Sequence, residues 1–183
     1  IAKNAKIPQA KYVEVRAEDI KRIKSTASKI EKKLGYPCFV KPCNAGSSVG
    51  ITKAHNKEEL IDGLRLAAQH DTKIVVEEGI VGREIECAVL GNREHVEASC
   101  VGEIFAAAEF YDYDAKYNNS DSKTVVPADI SKEKQDEIRK IAIKVFKAVD
   151  GSGLARVDFF VQKDTDKVIF NELNTLPGFT PIS

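Results

Sequence analysis

The pattern of apolar and polar positions opens on a helix. Ile20, Ile23, Ala27, Ile30 and Leu34 step by threes and fours between Glu18 and Leu34, forming one stripe that Gly35 ends. Tyr36 to Lys41 predicts a short strand, stopped by Pro42, which has no N–H to give a ladder. Asn44 to Gly50 is rich in Gly and Ser and reads as a loop. Asn56 followed by Glu59 has the form of a capping box, and Leu60, Ile61, Leu64 and Ala68 supply the buried stripe of a second helix. Strands are expected over Lys73 to Glu78 and Ile85 to Leu90, with a turn around Gly79 and Gly82 between them; Gly91-Asn92 then turns into Val96 to Ala108. Residues 109 to 128 are polar and aromatic without periodicity, a length that suggests a functional lid. Ser131 opens a third helix with the stripe Ile138, Ile141, Ala142, Val145 and Val149, closed by Gly151. Leu154 to Gln162 and Lys167 to Leu173 predict a hairpin about Asp164, Thr165 and Asp166. This order belongs to the α+β class, and it predicts two adjoining α+β lobes over residues 1–90 and 91–183.

Composition narrows the classes. The 183 residues are 43% hydrophobic and 31% charged, with 28 basic side chains against 28 acidic ones, as in an ordinary globular protein. No stretch approaches the ~20 consecutive apolar residues of a membrane span, and no secretory leader is evident, so neither a membrane partner nor export is expected. Cys38, Cys43, Cys87 and Cys100 lack the spacing of a zinc site or a disulfide scaffold, and a reducing cytoplasm is the expected compartment. The balanced charge hides a division: positions 1–33 carry ten basic and four acidic residues, positions 77–121 three basic and eleven acidic. The basic stretch has no interleaved aromatics and reads as a solvated helix face, so no nucleic-acid partner is expected. With no methionine and Ile1 at its start, the chain is expected to be a piece of something longer.

The hairpin carries the sharpest chemistry. Symmetric pairing about Thr165 places Asp158 opposite Glu172, Arg156 opposite Asn174 and Phe160 opposite Phe170, all on one face; Val157 with Leu173 and Val161 with Ile169 make the other. Opposed carboxylates destabilise a sheet unless something positive lies between them. A hard cation suits Asp, Glu and an Asn carbonyl, which are oxygen donors of the kind magnesium takes. A solvated acidic face, or neutralisation by Arg156 alone, is the alternative.

Lys41 ends its strand directly before the loop Asn44-Ala45-Gly46-Ser47-Ser48-Val49-Gly50. Glycines let backbone N–H groups approach phosphate oxygens, and serines add hydroxyl donors. The loop is neither a Walker motif nor G-x-G-x-x-G, and taken alone it could equally be a plain turn. Joined to the acidic strand end Glu77-Glu78 and the carboxylate hairpin, it forms a constellation suited to magnesium-bound ATP between two sheets.

Val40-Lys41-Pro42 with Gly46 to Gly50, the run Glu77 to Glu84, Phe110 to Tyr117, Arg156-Val157-Asp158, and Asn171 to Thr180 together resemble the D-alanine-D-alanine ligases of the ATP-grasp superfamily, in register over essentially the whole chain. The resemblance implies an ATP-grasp fold with ATP held between two antiparallel sheets. It also implies that ATP phosphorylates one D-alanine and that the amine of a second attacks the acyl phosphate, yielding a dipeptide for peptidoglycan precursors. ATP would be bound by Lys41, Ser47, Ser48, Glu77, Glu78, Ile80, Glu84, Phe110, Lys116 and Phe160, with the two phenylalanines sandwiching adenine. Asp158, Glu172 and Asn174 would hold two magnesium ions, for which manganese can substitute. Arg156, Ser47, Tyr117 and the Gly178 N–H would serve the reaction, and Ser183 would meet the carboxylate of the second substrate. The family's amino-terminal domain has no counterpart here, so the chain is expected to be the ATP and magnesium portion, binding nucleotide weakly and making no dipeptide alone. The full-length protein is expected to be a homodimer. Lys116-Tyr117 fits the dipeptide-forming type, and D-serine, as in vancomycin-resistance ligases, stays open as second substrate. Another ATP-grasp carboxylate-amine ligase is the further alternative. A non-catalytic module is disfavoured, because Asp158, Glu172 and Asn174 are all present.

Overall fold

The computed structural model describes residues 1–45, 49–105 and 123–178. It divides into two compact units. Among the described residues, one takes those between 10 and 79, and the other takes residues 1–9, 80–105 and 123–178.

The first unit contains β1 (Tyr12–Arg16), a 3-10 segment over Ala17–Arg22, α1 (Ile23–Leu34), β2 (Cys38–Pro42), β3 (Thr52–Ala54), α2 (Lys57–His70) and β4 (Lys73–Glu78). Its sheet has the order β1-β4-β2-β3 and is antiparallel throughout. Alternation sends Val15, Cys38, Val40, Ile74 and Val76 into a core with Ala27 and Ile30 of α1 and Leu60, Leu64 and Ala67 of α2. Phe39, Lys41, Val75 and Glu77 consequently share the other face of the sheet. The predicted first helix begins later than its stripe suggests, because Asp19 accepts from the Arg16 N–H and the chain winds as 3-10 before Ile23. Gly35, at φ 69°, ends α1 as expected. Asn56 caps α2 by accepting from the Glu59 N–H, while the Glu59 carboxylate accepts from the N–H of His55.

The second unit contains β5 (Gly82–Gly91), β6 (Val96–Phe105), β7 (Lys123–Val125), α3 (Lys132–Ala148), β8 (Gly153–Gln162) and β9 (Val168–Asn174). Its sheet runs β7-β6-β5-β8-β9, again antiparallel. Ile138, Ala142, Val145 and Phe146 of α3 cover one face, packing on Ile85, Cys87, Val89, Val101, Ala155, Val157, Phe159 and Val161. Phe146 replaces the expected Val149, which lies at the solvent-facing end of the helix. The opposite face carries the polar residues of the candidate site. Ile7 is buried in this core, and Gln9 bridges to Phe170, which is why the first nine residues belong here.

Two expectations change. The boundary between units lies at 79/80 rather than 90/91, since β5 pairs with β8 over its whole length, from Gly82 opposite Gln162 to Gly91 opposite Gly153. Within the hairpin, Asp158 faces Glu172, Arg156 faces Asn174 and Val157 faces Leu173 as predicted, but a bulge follows. Phe159, not Phe160, faces Phe170, Phe160 faces Ile169, and Val161 faces Val168. The extra residue is Asn171, and past it the strand reverses faces, so Phe170 turns onto the core beneath α3 instead of joining the carboxylates.

Candidate functional site

The open face of the second unit's sheet is arranged in rows across its strands. Gly102, Glu86, Asp158 and Glu172 form one row on β6, β5, β8 and β9, each opposite the next. Ile104, Glu84, Phe160 and Ile169 form the row on one side, and Ala88, Arg156 and Asn174 the row on the other. Three carboxylates thus stand abreast with one guanidinium beside them.

That guanidinium is held through Nε and Nη2. Arg156 donates Nε to Asp158 Oδ1 and Nη2 to Asp158 Oδ2, both at 2.8 Å, and its Nε lies 3.2 Å from Glu86 Oε1. Asn174 Nδ2 donates to Asp158 Oδ2 at 2.8 Å and reaches Glu172 Oε1 at 3.4 Å. Arg156 is held protonated even more firmly than usual, chiefly by its bond to Asp158. Glu86 is pushed up to about 7, first by burial and then by the charge of Asp158, which together outweigh the pull of Arg156.

The donor set fits magnesium. Among the described residues no group of three or more His, Cys, Asp or Glu is arranged to hold a metal by itself. Asp158 and Glu172 nevertheless supply opposed carboxylates, and a half-turn of the Asn174 amide replaces its NH2 group with a carbonyl oxygen. Magnesium is commonly held by one or two carboxylates, with waters and substrate phosphates filling the octahedron. Glu86 was not singled out by the sequence. The alternation of Glu84 and Glu86 with buried Ile85 and Cys87 was a visible signal of its face, but its place beside Asp158 depends on a pairing between segments far apart in the chain.

On the open face of the first unit's sheet, Lys41 Nζ donates to Glu77 Oε2 at 2.6 Å, with both side chains about a quarter exposed. Such a half-open pair contributes ~0–1 kcal/mol, so an anion can take the lysine at little cost. Both ends of the following loop are pinned to the end of α2. The Asp71 carboxylate accepts from the Asn44 N–H at 2.8 Å and from Asn44 Nδ2 at 2.9 Å, while Gly50, at φ 72°, packs against His70. A Cβ at Gly50 would lie 2.6 Å from His70 Cδ2, so the close approach requires glycine. Glu78 is engaged with Lys11, accepting from its N–H at 2.8 Å and pairing with its ammonium at 3.1 Å.

Glu84 and Phe160 stand side by side on the second unit's open face, where Phe160 is partly exposed, and Ile80 is where the chain re-enters that unit. Gly178 is exposed beyond β9. Ser47, Ser48, Phe110, Lys116, Tyr117 and Ser183 lie outside the described residues, as does most of the expected lid. No helix among the described residues is long and apolar enough to cross a membrane.

Comparison with known proteins identifies relatives of this chain. The family model described as D-ala D-ala ligase C-terminus matches residues 1–183. A D-alanine--D-alanine ligase of Acetivibrio thermocellus is 56% identical over 184 residues, covering 100% of this chain and 49% of that protein. One from Clostridium acetobutylicum is 56% identical over 178 residues, covering 97% of this chain and 52% of its own length. Among solved structures, the VanG D-Ala:D-Ser ligase from Enterococcus faecalis superposes with a TM-score of 0.85 at 40% identity, over 98% of this chain and 51% of that one. The D-alanine-D-alanine ligase from Coxiella burnetii gives 0.82 at 34% identity, over 99% and 46%. The chain therefore spans about half the length of the curated relatives it matches. With its two mixed units and these relatives, the chain belongs to the D-alanine-D-alanine ligase family, as its C-terminal portion, and has the ATP-grasp fold.

Proposed function

We propose that this chain is the ATP- and magnesium-binding portion of a ligase that joins D-alanine to D-alanine through an acyl phosphate, with ADP and phosphate as the other products. The observation that carries the reading is the row Glu86, Asp158 and Glu172, flanked by Arg156 and Asn174. Asp158 and Glu172, with Glu86 pushed up to about 7 beside them, still leave an excess of negative charge over one guanidinium, which phosphate oxygens alone could not approach. Magnesium held by Asp158, Glu172 and Asn174 would neutralise that excess, and the charge on the transferring phosphoryl group with it.

The remaining roles follow from chemistry and position. Lys41, released from Glu77, serves as a point charge for phosphate, and Glu77 is then free to accept from the adenine amino group. Glu84 supplies a carboxylate for ribose hydroxyls, and Phe160 an aromatic face for the base. Asn44 and Gly50 anchor the loop that carries Ser47 and Ser48. Arg156 offers a guanidinium to the acyl phosphate and to the tetrahedral intermediate, where the Gly178 N–H is a second donor. Phe110, Lys116 and Tyr117 act from the long segment after β6, and Ser183 meets the second substrate.

A second reading is favoured by the likeness to VanG, whose name states a D-Ala:D-Ser ligase. The test is ATP-dependent phosphate release by the complete protein with D-alanine alone and with D-alanine plus D-serine or D-lactate, each dipeptide or depsipeptide being identified by mass. D-Ala-D-Ala as the main product is expected. D-Ala-D-Ser as the main product would move the protein to the second reading, and absence of any D-alanine-dependent turnover would reject both.

A further inference from the structure

Glu86 belongs to no motif that marks the site, yet it stands at the centre of it. It lies directly opposite Asp158, with Gly102 on its other side, and its carboxylate is within 3.2 Å of Arg156 Nε. Among the described residues Arg156 is its cationic partner. Ala88, opposite Arg156, leaves room for the guanidinium to lie along the strand toward Glu86.

Arg156 and a divalent cation compete for the same oxygens. Both carboxylate oxygens of Asp158 are occupied by Arg156. Were Asp158 to give those lone pairs to a metal, its bidentate contact with Arg156 would weaken and the guanidinium would face like charge. Unless another anion is already within reach, Arg156 then swings out toward water and leaves the reacting group.

We propose that Glu86 is that second anion, a positioning residue that holds the Arg156 guanidinium over the substrate when Asp158 turns to the metal. The inference rests on the reading of Asp158 as a metal ligand and assigns Glu86 no metal bond of its own. Groups that orient a ligand or a catalytic charge from behind commonly matter by 10–100-fold. Ala88 fits this role, since a larger side chain opposite Arg156 would crowd the guanidinium.

The test uses the complete ligase with Glu86→Gln, which keeps shape and removes charge, and Glu86→Ala, which removes both. The expected result is a kcat lowered by about 10-fold or more with KM for ATP within about twofold, because Arg156 acts on the intermediate rather than on nucleotide. Binding of Mn2+, followed by electron paramagnetic resonance, separates the alternatives. Glu86→Gln should weaken it several-fold when Arg156 is present, since Arg156 then clings to Asp158, and by clearly less in an Arg156→Met background. Equal loss in both backgrounds would make Glu86 a metal ligand and overturn the proposal, as would an unchanged kcat in both Glu86 variants. The underlying reading fails separately, if Asp158→Asn leaves Mn2+ affinity unchanged.

Discussion

Phe159 meets Phe170 edge to face, with ring centroids 6.2 Å apart and planes at 66°. The pair lies on the core side of the second sheet, while Phe160, one position along, points to the side that carries Asp158. Adjacent phenylalanines therefore have separable jobs. Phe159→Ala should cost about 3–5 kcal/mol in a urea denaturation series, the usual range for a buried aromatic. Phe160→Ala should leave the unfolding midpoint nearly unchanged and weaken binding of a fluorescent ATP analogue. If both variants lose stability equally, the division of labour is wrong.

Among the described residues Glu103 is the buried charged side chain, 3% exposed, and it receives Arg83 through Nε at 2.6 Å and through Nη2. Arg83 also donates to the Asp129 carbonyl, tying β5 and β6 to the turn before α3. Glu103→Ala should lower stability by about 2 kcal/mol, toward the low end for a broken buried pair because Arg83 is partly exposed and can return to water. Arg83→Lys keeps the charge but loses the fork and should cost less. Equilibrium denaturation of both variants decides the order.

The loop stem offers a pH test. Asp71 is held below the usual carboxylate range, first by the Lys73 N–H and then by Asn44. A depressed carboxylate stabilises the fold above its unfolded value, and that stability is lost as pH falls through the folded value. The difference in melting temperature between wild type and Asp71→Ala should thus hold near neutrality and shrink as pH falls below the ordinary aspartate range. At neutral pH the same variant should weaken nucleotide binding by freeing Asn44. A melting difference that grows on acidification would contradict the assignment.

Thiol reactivity should split evenly. Cys38 and Cys87 are buried, and burial pushes both thiols up to about 11, whereas Cys43 and Cys100 are exposed, although desolvation raises the Cys43 thiol as well. At pH 8 an aromatic disulfide reagent should titrate Cys43 and Cys100 quickly, and the other two only after denaturant. Rapid modification of Cys87 would mean that the face of β5 under α3 opens readily.

Much of this was legible in the sequence, and the losses have physical causes. Lys73–Glu78 was read to the residue, because Ile74 and Val76 alternate cleanly with Val75 and Glu77. Asp158 opposite Glu172 agrees with symmetric pairing about Thr165, but on the turn side of the bulge at Asn171 the register is one residue off, and no compositional mark shows it. The strand Tyr12–Arg16 was missed although Val13 and Val15 alternate with polar neighbours, since it is short and lies in a stretch read chiefly for its charge. Glu86 and Asp71 share another limitation. Each acts on a partner from a different element, at Asp158, Arg156 or Asn44, and no local pattern records such a meeting.

The acidic row has a consequence for how the sheet comes together. Glu86 lies 72 positions before Asp158 in the chain, so the cluster exists only once the long-range ladder between β5 and β8 has closed. Closing it in the absence of a cation sets like charges side by side at the centre of the sheet. A divalent ion that binds the closed row but not the open chain stabilises the native state by mass action, and it should do so at a long-range contact of the unit. For this unit, ligand binding and sheet closure would then be two descriptions of one equilibrium, and the melting temperature should report the free metal concentration.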